Sequence, residues 1–325
     1  MTKLRIWLIL VMLWVVIGST YITIEIAIDT IPPFLMSGIR YVLSGVLLIL
    51  VYILLPSQNI NYQIKLNQKS TTTTSHRSKL ESILDKRQWK EATIIGAALI
   101  LGGQGLLTWG EQYLSSSFTA LLFSTVPIWI LLLGKILYNE KLKKFTVLGV
   151  IVGSIGFIIL ILPSLAAQFL DTNSPSTNNL ELVGIFALVI AALSWSVGSL
   201  YSSKANLPVN VLVSTGMMLF VGGFFLIALS IATGELENFH ISSISIESMT
   251  SLIYLITVGS AGWAGFFWIL RNTSASLANT FAYVSPVVAV ILGWAILSEA
   301  ITVQIVFATL IIMSGVILIA NRGKF

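Results

Sequence analysis

The sequence contains no cysteine, and only 10% of its 325 residues are charged. The absence of cysteine excludes a disulfide framework, a thiolate metal site and a catalytic thiol. Soluble domains carry roughly 25% charged residues, so this chain cannot cover itself with a water-compatible surface. Hydrophobic residues make up 56% of it, which indicates that lipid is its main solvent.

Ten apolar segments are each long enough to cross a bilayer as a helix, which takes roughly 20 residues. Lipid offers no hydrogen-bond partners, so each segment must be helical. The first segment is too long for a signal peptide and no cleavage motif follows it, so we expect it in the mature protein. The predicted spans are residues 6–28, 34–55, 91–112, 115–137, 145–163, 181–202, 209–231, 249–270, 276–297 and 302–320. The sequence therefore predicts an all-α membrane protein with ten transmembrane helices.

The basic residues predict the orientation of these helices. If the N-terminus is cytoplasmic, all of the 18 Lys and Arg residues except Arg40 fall on the cytoplasmic side, as the positive-inside rule requires. We therefore expect a multi-pass protein of the cell membrane, surrounded by lipid, with both termini cytoplasmic. The net charge of +5 then reflects topology and not a nucleic-acid partner. Residues 56–90 form the one long cytoplasmic loop, which we interpret as a linker.

Two sets of residues recur at fixed offsets, which indicates an internal repeat. An offset of 180 relates Gly18-Ser19-Thr20-Tyr21 to Gly198-Ser199-Leu200-Tyr201. An offset of 159 relates Pro127, Gly134, Glu140 and Gly156 to Pro286, Gly293, Glu299 and Gly315. We therefore expect two five-helix repeats, 1–163 and 181–320. Because five is odd, the second repeat is inverted, an architecture that places substrate near the membrane midplane between the halves and permits alternating access.

Several motifs resemble those of one family. They are Ile17 through Tyr21, Pro32-Pro33, Gly38 through Tyr41, Glu111, the segment from Ser117 through Pro127 to Glu140, and its copy from Ser276 through Pro286 to Glu299. This pattern resembles the EamA branch of the drug/metabolite transporter superfamily and covers nearly the whole chain outside 56–90. The resemblance implies ten helices, transport of small metabolites, often outward, and a central cavity lined by helices 1, 3, 4, 6, 8 and 9.

Ionisable residues inside membrane spans are costly and mark functional sites. Glu25, Arg40 and Glu111 are candidates for a gate, for proton coupling, or for binding a charged group of the substrate. The alternative is a structural one, in which Arg40 is simply neutralised by Glu25 or Glu111. An offset of 180 places Phe220 opposite Arg40, so the second repeat has no matching charge.

Polar and aromatic residues deep in the spans complete the candidate substrate site, although helix packing or contact with lipid is the alternative for each. The candidates are Ser19, Tyr21, Arg40, Gln104, Trp195, Ser199, Trp263, Asn279 and Tyr283. Pro127 and Pro286 are expected within helices, as hinges or as static kinks. Gly149-x-x-x-Gly153 permits close helix approach, either inside the bundle or, alternatively, in a homodimer.

Enzyme motifs are missing from the sequence. There is no H-E-x-x-H, no G-x-S-x-G and no phosphate-binding G-x-x-x-x-G-K-[ST], so we expect neither an enzyme nor ATP coupling, and no metal or cofactor. The leading hypothesis is a secondary transporter, an exporter of small metabolites such as amino acids or related amphipathic compounds. A carrier of nucleotide sugars or other phosphorylated metabolites is one alternative, but it would need several basic residues in its cavity. A non-transporting receptor or scaffold is the other.

Overall fold

Each predicted span contains a helix. A computed structural model describes residues 3–54, 85–114, 119, 122–170, 179–208, 210–237, 239–285, 287–288 and 303–322. The helices are α1 (Lys3–Ile28), α2 (Pro33–Leu54), α3 (Lys86–Gly110), α4 (Val126–Tyr138), α5 (Lys144–Leu170), α6 (Asn179–Ser202), α7 (Val211–Ala232), α8 (Ile246–Asn272), α9 (Ala275–Ala278) and α10 (Val303–Arg322). The prediction of an all-α membrane protein is confirmed, and residues 56–84 of the predicted linker lie outside the described part.

Large apolar side chains cover the outside of the helix bundle. Leu4, Phe186 and Phe307 are 68%, 67% and 62% exposed, whereas a soluble monomer rarely shows apolar patches above a few hundred Å². Six of the helices are long and apolar enough to cross a membrane, counted among the described residues. The protein is therefore a multi-pass membrane protein whose outer face contacts lipid.

The second helices of the two halves, α2 and α7, pack against each other in opposite directions. A Cβ placed on Gly45 would lie 2.6 Å from the carbonyl oxygen of Gly216, and one on Gly223 would lie 2.9 Å from that of Gly38. Earlier residues of α2 thus meet later residues of α7. Because α2 and α7 hold equivalent positions in the two halves, the halves have opposite orientations in the bundle.

The remaining pairings follow the same rule. In α5 and α10, the fifth helices of the halves, Gly149 meets Gly315 while Gly156 meets Ile311, so these helices are also antiparallel. The first helix α1 packs against α8, and its equivalent α6 packs against α3. Exchanging the two halves converts each of these pairs into the other. Gly149 and Gly153 are occupied within the chain, so a homodimer would need a different surface.

The glycine contacts also correct the alignment of the second helices. Gly38 and Gly45 correspond to Gly216 and Gly223, an offset of 178 and not 180. The counterpart of Arg40 is therefore the buried Met218 and not Phe220. On the corrected alignment Arg40 still has no charged counterpart in the second half. The positive charge of Arg40 therefore breaks the symmetry between the two halves.

The fourth and ninth spans are interrupted. Helix α4 begins only at Val126, and Pro127 lies in its first turn, where a backbone N–H has no helical partner anyway. The expectation that Pro127 lies within a continuous helix is thus wrong, because the helix starts immediately before it. Helix α9 ends at Ala278, and a turn at Asn279 and Thr280 precedes helical residues 281–285. Pro286 lies outside the described residues.

The two ends of the bundle differ in charge. The acidic end is the end where α1 stops and α2 starts, and it carries Asp29, Glu235 and Glu247. The Ser248 hydroxyl, at the start of α8, donates to the carbonyl of Ile26 there. The opposite, basic end carries the start of α1 and of α3 and the end of α8.

A carboxylate from one half anchors a helix of the other half at the acidic end. Glu235 follows α7, and its two oxygens accept hydrogen bonds from the backbone N–H groups of Phe34 and Leu35 at 3.1 and 2.9 Å. These N–H groups belong to the first turn of α2, which has no helical acceptor for them. The negative charge also stabilises the positive end of the helix dipole.

Replacing Glu235 by alanine should weaken the contact between the halves. Loss of a capping side chain costs about 1 kcal/mol, so we expect a lower melting temperature for Glu235→Ala in detergent. Glu237→Ala is the matched control, because that exposed carboxylate follows the same helix. Equal melting temperatures for the two variants would show that the Glu235 cap contributes nothing.

Candidate functional site

A small cavity lies between the two halves of the bundle. It has about 30 Å³ of free space, enough for roughly two water molecules. Residues from α1, α2, α3, α6 and α8, with one residue after α9, line it: Val16, Ile17, Thr20, Tyr21, Ile24, Arg40, Gln104, Leu107, Trp195, Gly259, Trp263, Phe266 and Phe281. The family resemblance implied a cavity lined by helices 1, 3, 4, 6, 8 and 9. Helix α2 also contributes, through Arg40, and no residue of the described part of α4 is among the lining residues.

Five of the predicted site residues lie together around this cavity, namely Tyr21, Arg40, Gln104, Trp195 and Trp263. Each carries a polar or aromatic group that a purely apolar wall would not need. Their convergence from five helices is the structural basis of the candidate site.

Four other predicted binding residues are used in packing. The Ser19 hydroxyl lies 2.7 Å from the Tyr254 hydroxyl on α8, and the Tyr283 hydroxyl donates to the Val150 carbonyl at 3.2 Å. Ser199 is fully buried away from the cavity lining. Asn279 lies behind the lining, where its side chain holds Trp195. Ser19 and Tyr283 therefore join neighbouring helices, and Asn279 acts on a cavity residue. The Ser199 hydroxyl is buried without a hydrogen-bond partner.

The guanidinium of Arg40 is buried beside the cavity. The residue is 3% exposed, and its Nε and Nη1 atoms have no hydrogen-bond partner. Its Cζ atom lies 4.7 Å from the centre of the Tyr41 ring, a cation–π contact that stabilises the charge without using its N–H groups. Gly259 faces it, since a Cβ there would lie 3.7 Å from Nη2. The donors of Arg40 are thus left for another group.

Glu111 is the residue directly after α3, and it lies close enough to Arg40 for the two charges to interact. Both of its carboxylate oxygens are buried and have no hydrogen-bond partner. Glu111 interacts electrostatically with Arg40 and with Glu25, yet it makes no direct hydrogen bond to Arg40. The structural alternative, in which Glu111 neutralises Arg40 by direct pairing, is therefore not what the geometry shows.

A π-helical segment in α3 carries Gln104 to the cavity wall. The segment runs from Ala97 to Gly105, and π-helical turns are rare and concentrate at functional sites. The Tyr41 hydroxyl donates to Gln104 Oε1 at 2.9 Å, which ties α2 to this segment. Within the segment, Gly102 and Gly103 allow α6 to approach closely through Ser194 and Trp195.

Five aromatic rings close the cavity toward the basic end. We call Phe123, Trp195, Trp263, Phe266 and Phe281 the aromatic floor. The Trp195 ring centre lies 5.4 to 5.6 Å from those of the other four. Its Nε1 donates to Asn279 Oδ1 at 2.7 Å, so no polar group of the indole is left unpaired. At 1.5 Å per residue, Phe266 lies about 10 Å before the end of α8, which places the floor near the basic end.

A second layer of contacts lies beyond the floor. We call Glu91, Tyr138, Glu140, Tyr201 and Lys204 the basic-end clasp. The Tyr201 hydroxyl donates to Glu91 at 2.6 Å, Lys204 pairs with Glu140 at 3.0 Å, and Lys204 Nζ lies 3.5 Å from the Tyr138 ring centre. The ion pair is about half exposed and is therefore weak. The clasp joins α3, α4 and α6 by a few contacts near the surface, and these contacts are weak enough to separate.

Several cavity residues carry no signal that sequence reasoning could have used. Phe281 is an ordinary residue of an apolar span, and Gly259 matters only because it faces Arg40. Thr20 differs from them, because it lies in the repeated motif Gly18-Ser19-Thr20-Tyr21. Tyr41, in contrast, directly follows the one basic residue inside a span, so its position beside Arg40 offered a signal.

Both halves of the chain match one known protein family. Residues 5–162 and 182–321 match the model of the EamA-like transporter family. The chain belongs to the EamA-like transporter family. This confirms the resemblance that the motifs of the sequence carry, and family membership supports a membrane transporter rather than an enzyme.

Relatives in the EamA-like family match over almost the whole length. The chain is 29% identical to the "Uncharacterized inner membrane transporter YedA" of Escherichia coli (strain K12) over 96% of this chain and 89% of the relative. It is 25% identical to the "Uncharacterized transporter YoaV" of Bacillus subtilis (strain 168) over 92% and 91%. A solved crystal structure with 17% identity covers 98% of both chains with a TM-score of 0.68, which shows a shared fold.

Removing the Tyr41 hydroxyl should loosen the tie between α2 and the π-helical segment. Hydrogen bonds between membrane helices contribute roughly 0.6 to 1.7 kcal/mol, so Tyr41→Phe should lower the melting temperature in detergent while keeping the ring under Arg40. Tyr113→Phe is the control, because Tyr113 packs by its ring against Trp109 at 5.0 Å. A Tyr41→Phe variant as stable as the control would show that the Gln104 contact is dispensable.

Proposed function

We propose that the protein is a secondary transporter that exports small metabolites, such as amino acids or related amphipathic compounds, by alternating access between its two inverted repeats. The observation that carries this proposal is the cavity between the halves, which is lined by the buried cation Arg40 and by rings of the aromatic floor. The buried carboxylate of Glu111 lies one helix turn beyond the lining residue Leu107. Ligand sites combine an apolar wall with a few placed polar groups, and this cavity has that composition. In this proposal the two halves that move relative to each other are the five-helix repeats 1–163 and 181–320.

Alternating access requires that the barriers at the two ends open in turn. At the basic end these barriers are the aromatic floor and the clasp, which contains the weak pair of Lys204 and Glu140. The cavity volume of about 30 Å³ is too small for an amino acid, so the halves would have to move apart to admit one. Exchanging the roles of the two halves converts the helix pair α1–α8 into the pair α6–α3. A second arrangement, closed at the other end of the bundle, would therefore use equivalent contacts between helices.

The orientation is part of the proposal. Applying the positive-inside rule places the basic end in the cytoplasm of a prokaryotic cell, with both chain termini there. The aromatic floor then faces the cytoplasm and the Arg40 region faces outward. Driving energy would come from substrate exchange or from a proton gradient, for which Glu111 and Glu25 are the candidate carriers. Pro127 and Pro286 remain candidates for hinges in this motion.

A carrier of phosphorylated metabolites is less well supported. Such substrates need several cations, as in sites that bind phosphate with Arg and Lys clusters. Arg40 is the one basic residue among the cavity-lining residues that the structure describes. The composition of the cavity therefore favours substrates with at most one anionic group.

Transport in proteoliposomes tests the proposal. Purified protein would be reconstituted, and uptake and efflux of a mixed pool of labelled amino acids and small metabolites would be followed with and without a pH gradient. We expect flux of one compound class that the same unlabelled compound competes away. A pH-gradient dependence would support Glu111 and Glu25 as proton carriers, and its absence would remove them.

Arg40→Ala should abolish this flux while the protein still folds, because the variant removes the buried cation from the cavity wall. Arg271→Ala is the matched control: Arg271 is a partly buried arginine at the basic end that donates to the Pro208 carbonyl at 2.6 Å. Unfolding of Arg40→Ala in a melting experiment would assign Arg40 a structural role. A folded Arg40→Ala variant with wild-type flux would contradict any role in transport.

A further inference from the structure

Two buried ionisable groups of opposite sign, Arg40 and Glu111, carry atoms that have no hydrogen-bond partner. Arg40 lines the cavity, and Glu111 lies one helix turn beyond the lining residue Leu107, whose carbonyl accepts from the Glu111 N–H at 3.0 Å. The unpaired atoms are Nε and Nη1 of Arg40 and both carboxylate oxygens of Glu111. Buried polar atoms in folded proteins are nearly always paired, and an unpaired buried charge is strongly destabilising. A structure that retains two such groups has an unmet requirement for partners of both signs.

The two charges do not satisfy each other. They interact electrostatically, yet Arg40 rests on the face of the Tyr41 ring, and its Nε and Nη1 atoms have no hydrogen-bond partner. An arginine whose purpose was to neutralise Glu111 would present its N–H edge to the carboxylate as two parallel hydrogen bonds. The geometry instead keeps the two groups close but separate.

We propose that Arg40 and Glu111 together select a zwitterion, with Arg40 binding its carboxylate and Glu111 binding its ammonium group. This inference rests on the proposed transport function and names the charge pattern of the substrate at that site. A guanidinium edge matches a carboxylate bidentately, and an ammonium group supplies three donors to an acceptor-only carboxylate. One compact molecule with both groups would offer an acceptor to the guanidinium and donors to the carboxylate.

The pair also rejects singly charged molecules. An anion without an ammonium group would bind at Arg40 but would be repelled by Glu111, and a cation without a carboxylate would meet the reverse situation. Sites that leave a buried polar group unpaired discriminate strongly against the ligand that does so. The remainder of the zwitterion would lie against the aromatic floor, where Trp195 and Trp263 offer apolar faces.

Because the counterpart of Arg40 is Met218, the charge pair is present in one half only. A substrate held by Arg40 and Glu111 remains attached to α2 and α3 while barriers elsewhere in the bundle open and close. The site thus keeps the orientation of the zwitterion fixed relative to the first half.

The inference is tested by removing one charge at a time from the ligand and from the protein and comparing the binding affinities. Binding to the purified full-length protein in detergent would be measured by equilibrium dialysis. The ligands are the common L-amino acids, their amides, which lack the carboxylate charge, and their N-acetyl derivatives, which lack the ammonium. We expect at least one amino acid to bind roughly tenfold or more tightly than both of its derivatives.

The variants decide which residue reads which group. In Arg40→Gln the preference for the amino acid over its amide should fall to about twofold or less while its preference over the N-acetyl form persists. Glu111→Gln should show the converse. Arg40→Lys should retain part of the carboxylate preference, because the charge remains but the fork is lost. Arg271→Gln should keep both preferences.

Three results would overturn the inference. The first is equal binding of an amino acid and its derivatives by the wild-type protein, and the second is no binding of any amino acid. The third is a uniform loss of affinity for all three ligand types in a folded Arg40→Gln variant. Flux in proteoliposomes separates the two claims. Transport of some other solute would leave the transporter proposal intact while the zwitterion fails. The expected preferences without any flux would leave the binding site and remove the transport.

Discussion

Hydrocarbon cannot solvate a charge, and the whole structure is organised around that constraint. Backbone groups satisfy it by forming helices, and the Lys and Arg residues of the described helices and their ends, apart from Arg40, satisfy it by lying at the basic end of the bundle. Arg40 and Glu111 do not. They are buried with donor atoms of Arg40 and acceptor atoms of Glu111 unpaired. A ligand that carries the complementary charges is the simplest way to pair these atoms.

The symmetry of the bundle and the asymmetry of the site serve different purposes. Close contacts between glycines, such as Gly45 with Gly216, bring equivalent helices together in opposite directions. Arg40 has only Met218 as its counterpart, so the buried charge of the site belongs to one half. In the proposed transport cycle, the repeat would give the two arrangements of the halves similar packing, and the single charged site would hold the substrate in one position while the barriers change.

Composition and periodicity were enough to predict the helices, because lipid leaves the backbone no other choice. The inverted pairing was predicted from repeated glycines, although the offset within α2 needed contacts to correct it. Tyr21, Arg40, Gln104, Trp195 and Trp263 were predicted because charged and aromatic groups are conspicuous in apolar spans. The same reasoning failed to place Ser199 and Tyr283, since the face that a helix turns inward depends on its neighbours. Pro127 was misplaced because a break before a proline leaves no hydropathy signal.

The most direct test of alternating access uses the absence of native cysteine. A Thr20→Cys variant carries its one thiol in the cavity wall, where Thr20 is 8% exposed. It would be reconstituted and treated with a membrane-impermeant maleimide applied to one face of the membrane and, in separate samples, to the other. Two opposed open states predict labelling from both faces, each slowed by transported substrate. Labelling from one face only, or labelling that substrate does not affect, would contradict a site that opens alternately between the two halves.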